Sequence, residues 1–205
     1  MKSDKRPTTR QEVFNCLSRL LGSNAYESIM NFVNLHENAQ VDQAVGELCK
    51  FDATIGGFGL HTIAGRNSLT GIPGVTVDDR DIYRPVQYIL AVLNGSNAAF
   101  QSRNVVEMAC AHVEAVLKRI ATSGFLGELV NGRKPMGALL RAKFEKKLPP
   151  ALYQDLLWLN DSIYIFAKHE YGSRPGKRAE ESYFDLDEAV AIYFIARYLV
   201  VQLSQ

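Results

Sequence analysis

The residues most able to do chemistry gather around His169. Lys168 precedes it, Glu170-Tyr171-Gly172 follows it, and Arg174, Lys177 and Arg178 lie just beyond. A second basic group stands upstream, made of Arg133, Lys134, Arg141, Lys143, Lys146 and Lys147, with Glu145 the acid among them. If the two groups converge they form a local phosphate-binding surface, because clustered Lys and Arg neutralise phosphate charge. The competing reading is a solvated basic face, since charge runs are commonly exposed without a ligand.

Positioning these groups falls to a helix over residues 150–168. Pro149-Pro150 suits its start, where a missing amide costs nothing. Leu152, Leu156, Leu159, Ile163 and Phe166 then step by four and three along one apolar face. Trp158, Ser162, Ile165 and His169 share a flank of the same spacing. Gly172 and Pro175 end the run. His169 therefore sits in the last turn, where the helix dipole favours its cation and neighbouring cations oppose it. A final helix opens at Asp185 with Glu188 three residues on, in the pattern of a capping box. It is apolar on nearly every face apart from Arg197 and Gln202, as expected of a helix at the centre of a bundle. It is too short and interrupted for a membrane span, which needs about 20 apolar residues.

The remaining chain supplies more helices. Thr9-Arg10-Gln11-Glu12 is a capping box backed by Val13, Phe14, Leu17, Leu20 and Leu21, and Gly22-Ser23 breaks the helix it opens. Ile29, Met30 and Val33 mark a second helix, and Val41, Ala44, Val45 and Leu48 a third. Residues 54–81 are rich in glycine, with weak alternation that allows a short hairpin or a long loop. No Gly-Lys-Ser/Thr ending makes a phosphate cradle of it, and His61 there reads as a turn or surface histidine. Helix resumes at Tyr83 and stops at Asn94-Gly95-Ser96. The helix over 100–120 buries Val106, Ala109, Cys110, Val113, Val116, Leu117 and Ile120. Arg103–Glu107 and Glu114–Lys118 can pair on its exposed side, and His112, off the stripe, is expected to be partly exposed. Gly124 to Gly137 is punctuated by glycine, and Pro135 leads into a helix carrying Met136, Leu139, Leu140 and Phe144. There is no internal repeat and no low-complexity tract.

The totals set the class. A chain of 205 residues with 47% hydrophobic residues and a net charge of +1 can fill a core and carries no global field toward nucleic acid or membrane. Cys16, Cys49 and Cys110 are odd in number and fall on apolar faces, so they read as reduced core thiols. No metal-ligand spacing joins them to the histidines, and no cofactor is expected. The polar N-terminus has no secretory pattern, so a cytoplasmic protein is the expectation.

From residue 97 onward the order of elements resembles the HEPN superfamily of helical bundles. A long helix comes first, then a glycine-broken one, then a Pro-started helix ending in His, then an apolar helix with an acidic opening. The resemblance covers about half the chain. It implies a mainly α fold with a HEPN-like four-helix core over 82–205, preceded by an N-terminal helical unit (1–53) and the Gly-rich segment (54–81). Members of this superfamily that cut RNA carry an Arg before the helix-end His, and toxin members extend the motif to His-x-Tyr, which His169-Glu170-Tyr171 matches. The resemblance implies a homodimer that joins the pair across two protomers, without metal. The His would serve as acid or base on RNA and the Arg would neutralise phosphate. Here the position five before His169 is Tyr164, and no Arg lies between Pro149 and His169. Lys168, Arg174 or Arg178 would have to supply the charge, and lysine is a weaker mimic of the guanidinium fork. Two readings follow. The favoured one is a dimerising or binding module with a degenerate motif, tied to RNA or to a toxin–antitoxin or phage-defence partner. The alternative is a divergent metal-independent ribonuclease with His169, Tyr171 and Lys168 at its centre. An enzyme acting on a small ligand at the Gly-rich segment is a third.

Overall fold

A computed structural model describes residues 8–55, 80–122, 135–169 and 184–203. Thr9 caps α1 (Arg10–Leu21): its hydroxyl accepts from the Glu12 amide at 3.3 Å, and the Glu12 carboxylate accepts from the Thr9 amide at 2.7 Å. Gly22 ends the helix at φ 80°, a left-handed value that suits glycine. Then come α2 (Asn24–Glu37), α3 (Val41–Thr54), α4 (Arg80–Leu93) and α5 (Ser102–Thr122). Helix α6 (Met136–Leu139) runs directly into a π turn, Leu140–Phe144. Helix α7 (Pro150–Trp158) continues through a second π turn, Leu159–Tyr164, into α8 (Ile165–His169), so residues 150–169 form one helical rod with Pro150 in its first turn. Helix α9 (Leu186–Leu203) closes the fold. Among the described residues there is no strand, and the architecture is a mainly α helical bundle. The Gly-rich hairpin or loop lies largely outside the described residues.

Helix α9 is the central element. Every residue over 187–197 is buried. It packs most extensively on α5 and α1, and also meets α2 and α7, while α4 covers another side of α5. Phe194 meets Phe51 of α3 edge to face at 4.6 Å. Each large apolar side chain so buried contributes roughly 1.5–3 kcal/mol. The first three helices and the later ones thus share one continuous core. Cys16, Cys49 and Cys110 are all buried free thiols within it, and burial pushes Cys16 and Cys49 up to about 11, which leaves them protonated and unreactive near neutrality. No helix among the described residues is long and apolar enough to cross a membrane.

The expectation of a partly exposed His112 is corrected. His112 is fully buried, because α4 and α9 close over α5 from two sides. Its Nδ1 lies 2.7 Å from the Ile82 carbonyl and its Nε2 lies 2.9 Å from the Arg197 guanidinium. Arg197 can only donate, so Nε2 accepts and Nδ1 carries the proton. The other edge of Arg197 grips Asp52 in α3. The one cation in the apolar stretch of α9 thus ties α3, α4, α5 and α9 together.

Candidate functional site

The rod over 150–169 brings its last turn against α5. Arg103 of α5 donates from Nε and NH2 to the Ala167 carbonyl, at 3.0 and 2.8 Å. That carbonyl belongs to the helix end, where the last carbonyls lack intrahelical partners, and a guanidinium there also complements the dipole. About three turns further along α5 stand Glu114 and Lys118, which form an ion pair. Tyr164 packs opposite them, and Lys168 lies over its ring, 5.0 Å from the centroid, with Nζ 3.4 Å from the hydroxyl.

The Glu114–Lys118 pair forms as expected, but Glu114 is not on an exposed face. It is only 7% exposed, because the second π turn and α8 pack on that side of α5. Burial alone would raise its pKa; Lys118 and the Tyr164 hydroxyl outweigh that and hold the carboxyl below its usual value. Its Oε2 is buried without a hydrogen-bond partner. Burial, and then the Glu114 charge, push the Tyr164 phenol well above its usual value, so it stays a neutral donor.

The π turn explains where the rod differs from the simple stripe. An i→i+5 turn inserts one extra residue per turn, so neighbouring residues face inward together: Leu159 with Asn160, and Ile163 with Tyr164. Leu156, Leu159 and Ile163 are buried as expected, while Leu152 and Phe166 are only half-buried. Such turns recur at functional sites. Here the turn sits against α6, where Gly137 has no room for a side chain: an added Cβ would stand 2.5 Å from Asn160 Nδ2. Asn160 in turn donates to Asp161 at 2.6 Å, and Asp161 accepts from Arg141 at 2.5 Å.

The basic residues divide along the rod. Lys146 and Lys147 are exposed in the turn before Pro150, with Lys143 half-buried beside them, and Lys168 is exposed at the far end. The eighteen residue steps from Pro150 to Lys168 span roughly 25 Å of helix. Arg141 lies between the two ends and is engaged by Asp161. His169 closes α8, while Tyr171, Arg174, Lys177, Arg178, Arg133 and Lys134 lie outside the described residues. Among the described residues no cluster of His, Cys, Asp and Glu could hold a metal ion.

Sequence reasoning did not find Arg103, Glu114 and Tyr164 as a group. The spacing 103, 107, 114, 118 on α5 marks a charged stripe, and an unexpectedly polar stripe on a long helix is the signal that something covers it. No family model matches the chain, and neither curated proteins nor solved structures give a match.

Proposed function

We propose that the chain is a HEPN-like helical module that binds RNA without cutting it. The observation that supports this reading is the state of Tyr164. It occupies the position where a nuclease of this kind needs its arginine, yet it is buried, and its hydroxyl faces Glu114 rather than solvent. A phosphate approaching the end of α8 therefore meets Lys168 and no guanidinium from the same helix. The exposed cations at the two ends of the rod suit a strand running along it better than a single bound phosphate. Association into a homodimer is part of the reading and rests on the resemblance, because α9 spends its apolar surface inside the bundle.

A second reading, the divergent ribonuclease, has one observation in its favour. Arg103 brings a guanidinium to the carbonyl two residues before His169. The experiment that separates the two uses end-labelled single-stranded RNA and the purified chain. The binding module predicts a shifted, intact RNA, with affinity falling as salt rises, and weaker binding for the Lys146→Glu, Lys147→Glu double variant. Cleavage that disappears in His169→Ala overturns the binding-only reading in favour of the nuclease. Sedimentation at tens of micromolar, about where weak specific contacts still form, tests the dimer.

A further inference from the structure

A cavity of about 540 Å³ opens where the C-terminal ends of α1, α5 and α9 meet the start of α7. That size falls within the roughly 300–1,000 Å³ typical of small-molecule sites. Its walls come from four helices, so it is not the groove along a single one. Leu20, Ile120, Leu148, Leu152 and Leu203 line it, and all five are only half-buried. Walls of this kind do not hold water well, since a bound water needs two to four polar partners. Two uncharged polar residues complete the lining. Tyr198 and Gln202 stand one turn apart on α9 and are both half-buried. Among the described residues neither side chain has a hydrogen-bond partner.

The charges around the cavity are already engaged. Arg19 and Asp155 line it as a closed ion pair, 2.6 Å from NH2 to Oδ1. Lys147, the third charged residue of the lining, is exposed and has an interaction of its own. On the same turn, exposed Glu145 and Lys146 oppose each other in sign. An ionic head would therefore meet no spare counter-charge and would give up its hydration against leucine and isoleucine side chains. A pure hydrocarbon would strip water from Tyr198 and Gln202 without replacing the hydrogen bonds. We propose that the cavity binds a small uncharged amphiphile, with its hydrocarbon body against Leu20, Leu152 and Leu203 and a single hydroxyl or carbonyl group at Tyr198 and Gln202. A phenol and a carboxamide can each donate and accept, so the pair suits either group.

The test titrates the full chain with octan-1-ol and, separately, with octanoate, by calorimetry at low and at physiological ionic strength. The expected result is saturable binding of one octan-1-ol per chain, with the same affinity at both ionic strengths, because salt screens only charges. Octanoate should bind at least about tenfold more weakly, since its carboxylate loses hydration without a counter-charge. The double variant Tyr198→Phe, Gln202→Leu keeps the shape of the wall and should weaken the alcohol by about three- to tenfold, the size of one lost hydrogen bond. Ala151→Trp, at an exposed position on the cavity wall, should weaken it by about tenfold or more, by occupying the volume. Gln202→Trp fills the same space from α9 and serves if Ala151→Trp disturbs the fold by circular dichroism. Absence of saturable octan-1-ol binding overturns the proposal. So does binding that neither tryptophan alters, which would put the ligand elsewhere. Octanoate binding as tightly as the alcohol overturns the uncharged assignment and with it the proposal. An alcohol affinity unmoved by the double variant does the same, because the hydroxyl would then have no partner at Tyr198 or Gln202.

Discussion

Arg197 and Asp52 form a two-pronged ion pair in the interior, Nε to Oδ1 at 2.8 Å and NH2 to Oδ2 at 3.1 Å, with both residues at most 1% exposed. They are 145 positions apart in the chain, so the pair closes α9 onto α3. Removing one partner leaves a buried charge uncompensated. Asp52→Ala is expected to lower stability by roughly 3–5 kcal/mol. The double variant Asp52→Leu, Arg197→Met should recover part of that, since an apolar replacement of a buried pair is often nearly neutral but here leaves His112 Nε2 without its donor. Urea denaturation of the two variants is the measurement, and a double variant no better than the single one counts against the account.

His112 makes this region sensitive to acid. Burial, and then the Arg197 charge, push its pKa down to about 3, from the ordinary 6.5. In the unfolded chain the ring takes up a proton below about pH 6.5, while in the fold it does not until about pH 3. The unfolded state therefore binds more protons over that window. The stabilisation is complete above pH 6.5 and is lost as pH falls toward 3. Each pH unit within the window costs about 1.4 kcal/mol. Between pH 6.5 and 5, where few carboxylates titrate, stability should fall in the native chain. In His112→Gln, which is less stable at pH 7, it should stay nearly flat. Parallel slopes for the two proteins would refute the assignment.

Gly137→Ala probes the contact between α6 and the second π turn. The new methyl would stand 2.5 Å from Asn160 Nδ2 and 3.2 Å from its Cγ. Asn160 is only 4% exposed, so it has little freedom to withdraw. A loss of about 1–3 kcal/mol is expected, the usual cost of overpacking. Trimming Asn160 to Ala in the same chain should return part of it, giving a favourable coupling in a double-mutant cycle.

Arg103→Ala tests how the end of α8 is held. Two hydrogen bonds from a charged donor to the Ala167 carbonyl disappear. Hydrogen bonds to charged groups contribute roughly 1.5–3 kcal/mol, and the loss should concentrate in the last turn. Amide exchange across Ile165–His169 should quicken markedly more than exchange in α9. A uniform change over the whole chain would mean that Arg103 supports the core rather than the helix end.

The helices with caps and regular stripes could be read from sequence. The Thr9 box, the proline start of α7 and the apolar face of α5 are local signals, and each appears where it was expected, except that Ile120 at the end of that face is only half-buried. What could not be read was how distant segments cover one another. His112 lies off the stripe of α5, and only the arrival of α4 on one side and of Arg197, 85 positions later, on the other buries it. Glu114 has the spacing of a surface ion pair, and only the rod over 150–169 turns it inward. The same holds for α9: its apolar faces mark a helix at the centre of a bundle but not which segments cover it, and α1, α2, α5 and α7 do so. The π turns have no composition signal at all, since Leu-Asn-Asp-Ser-Ile-Tyr is unremarkable in an α-helix.

The π turn Leu159–Tyr164 holds one residue more than an α-helix would need for the same path. Chain length inside a helix is normally fixed, because one residue more or less turns everything beyond it by about 100°. Deleting a single residue here would let the turn relax into ordinary helix, with no break in the rod and little change to α7. The segment carrying Lys168 and His169 would keep its side, because the turn already absorbs the surplus residue. The aim of that helix end thus tolerates the loss of one residue here, which no ordinary stretch of helix would.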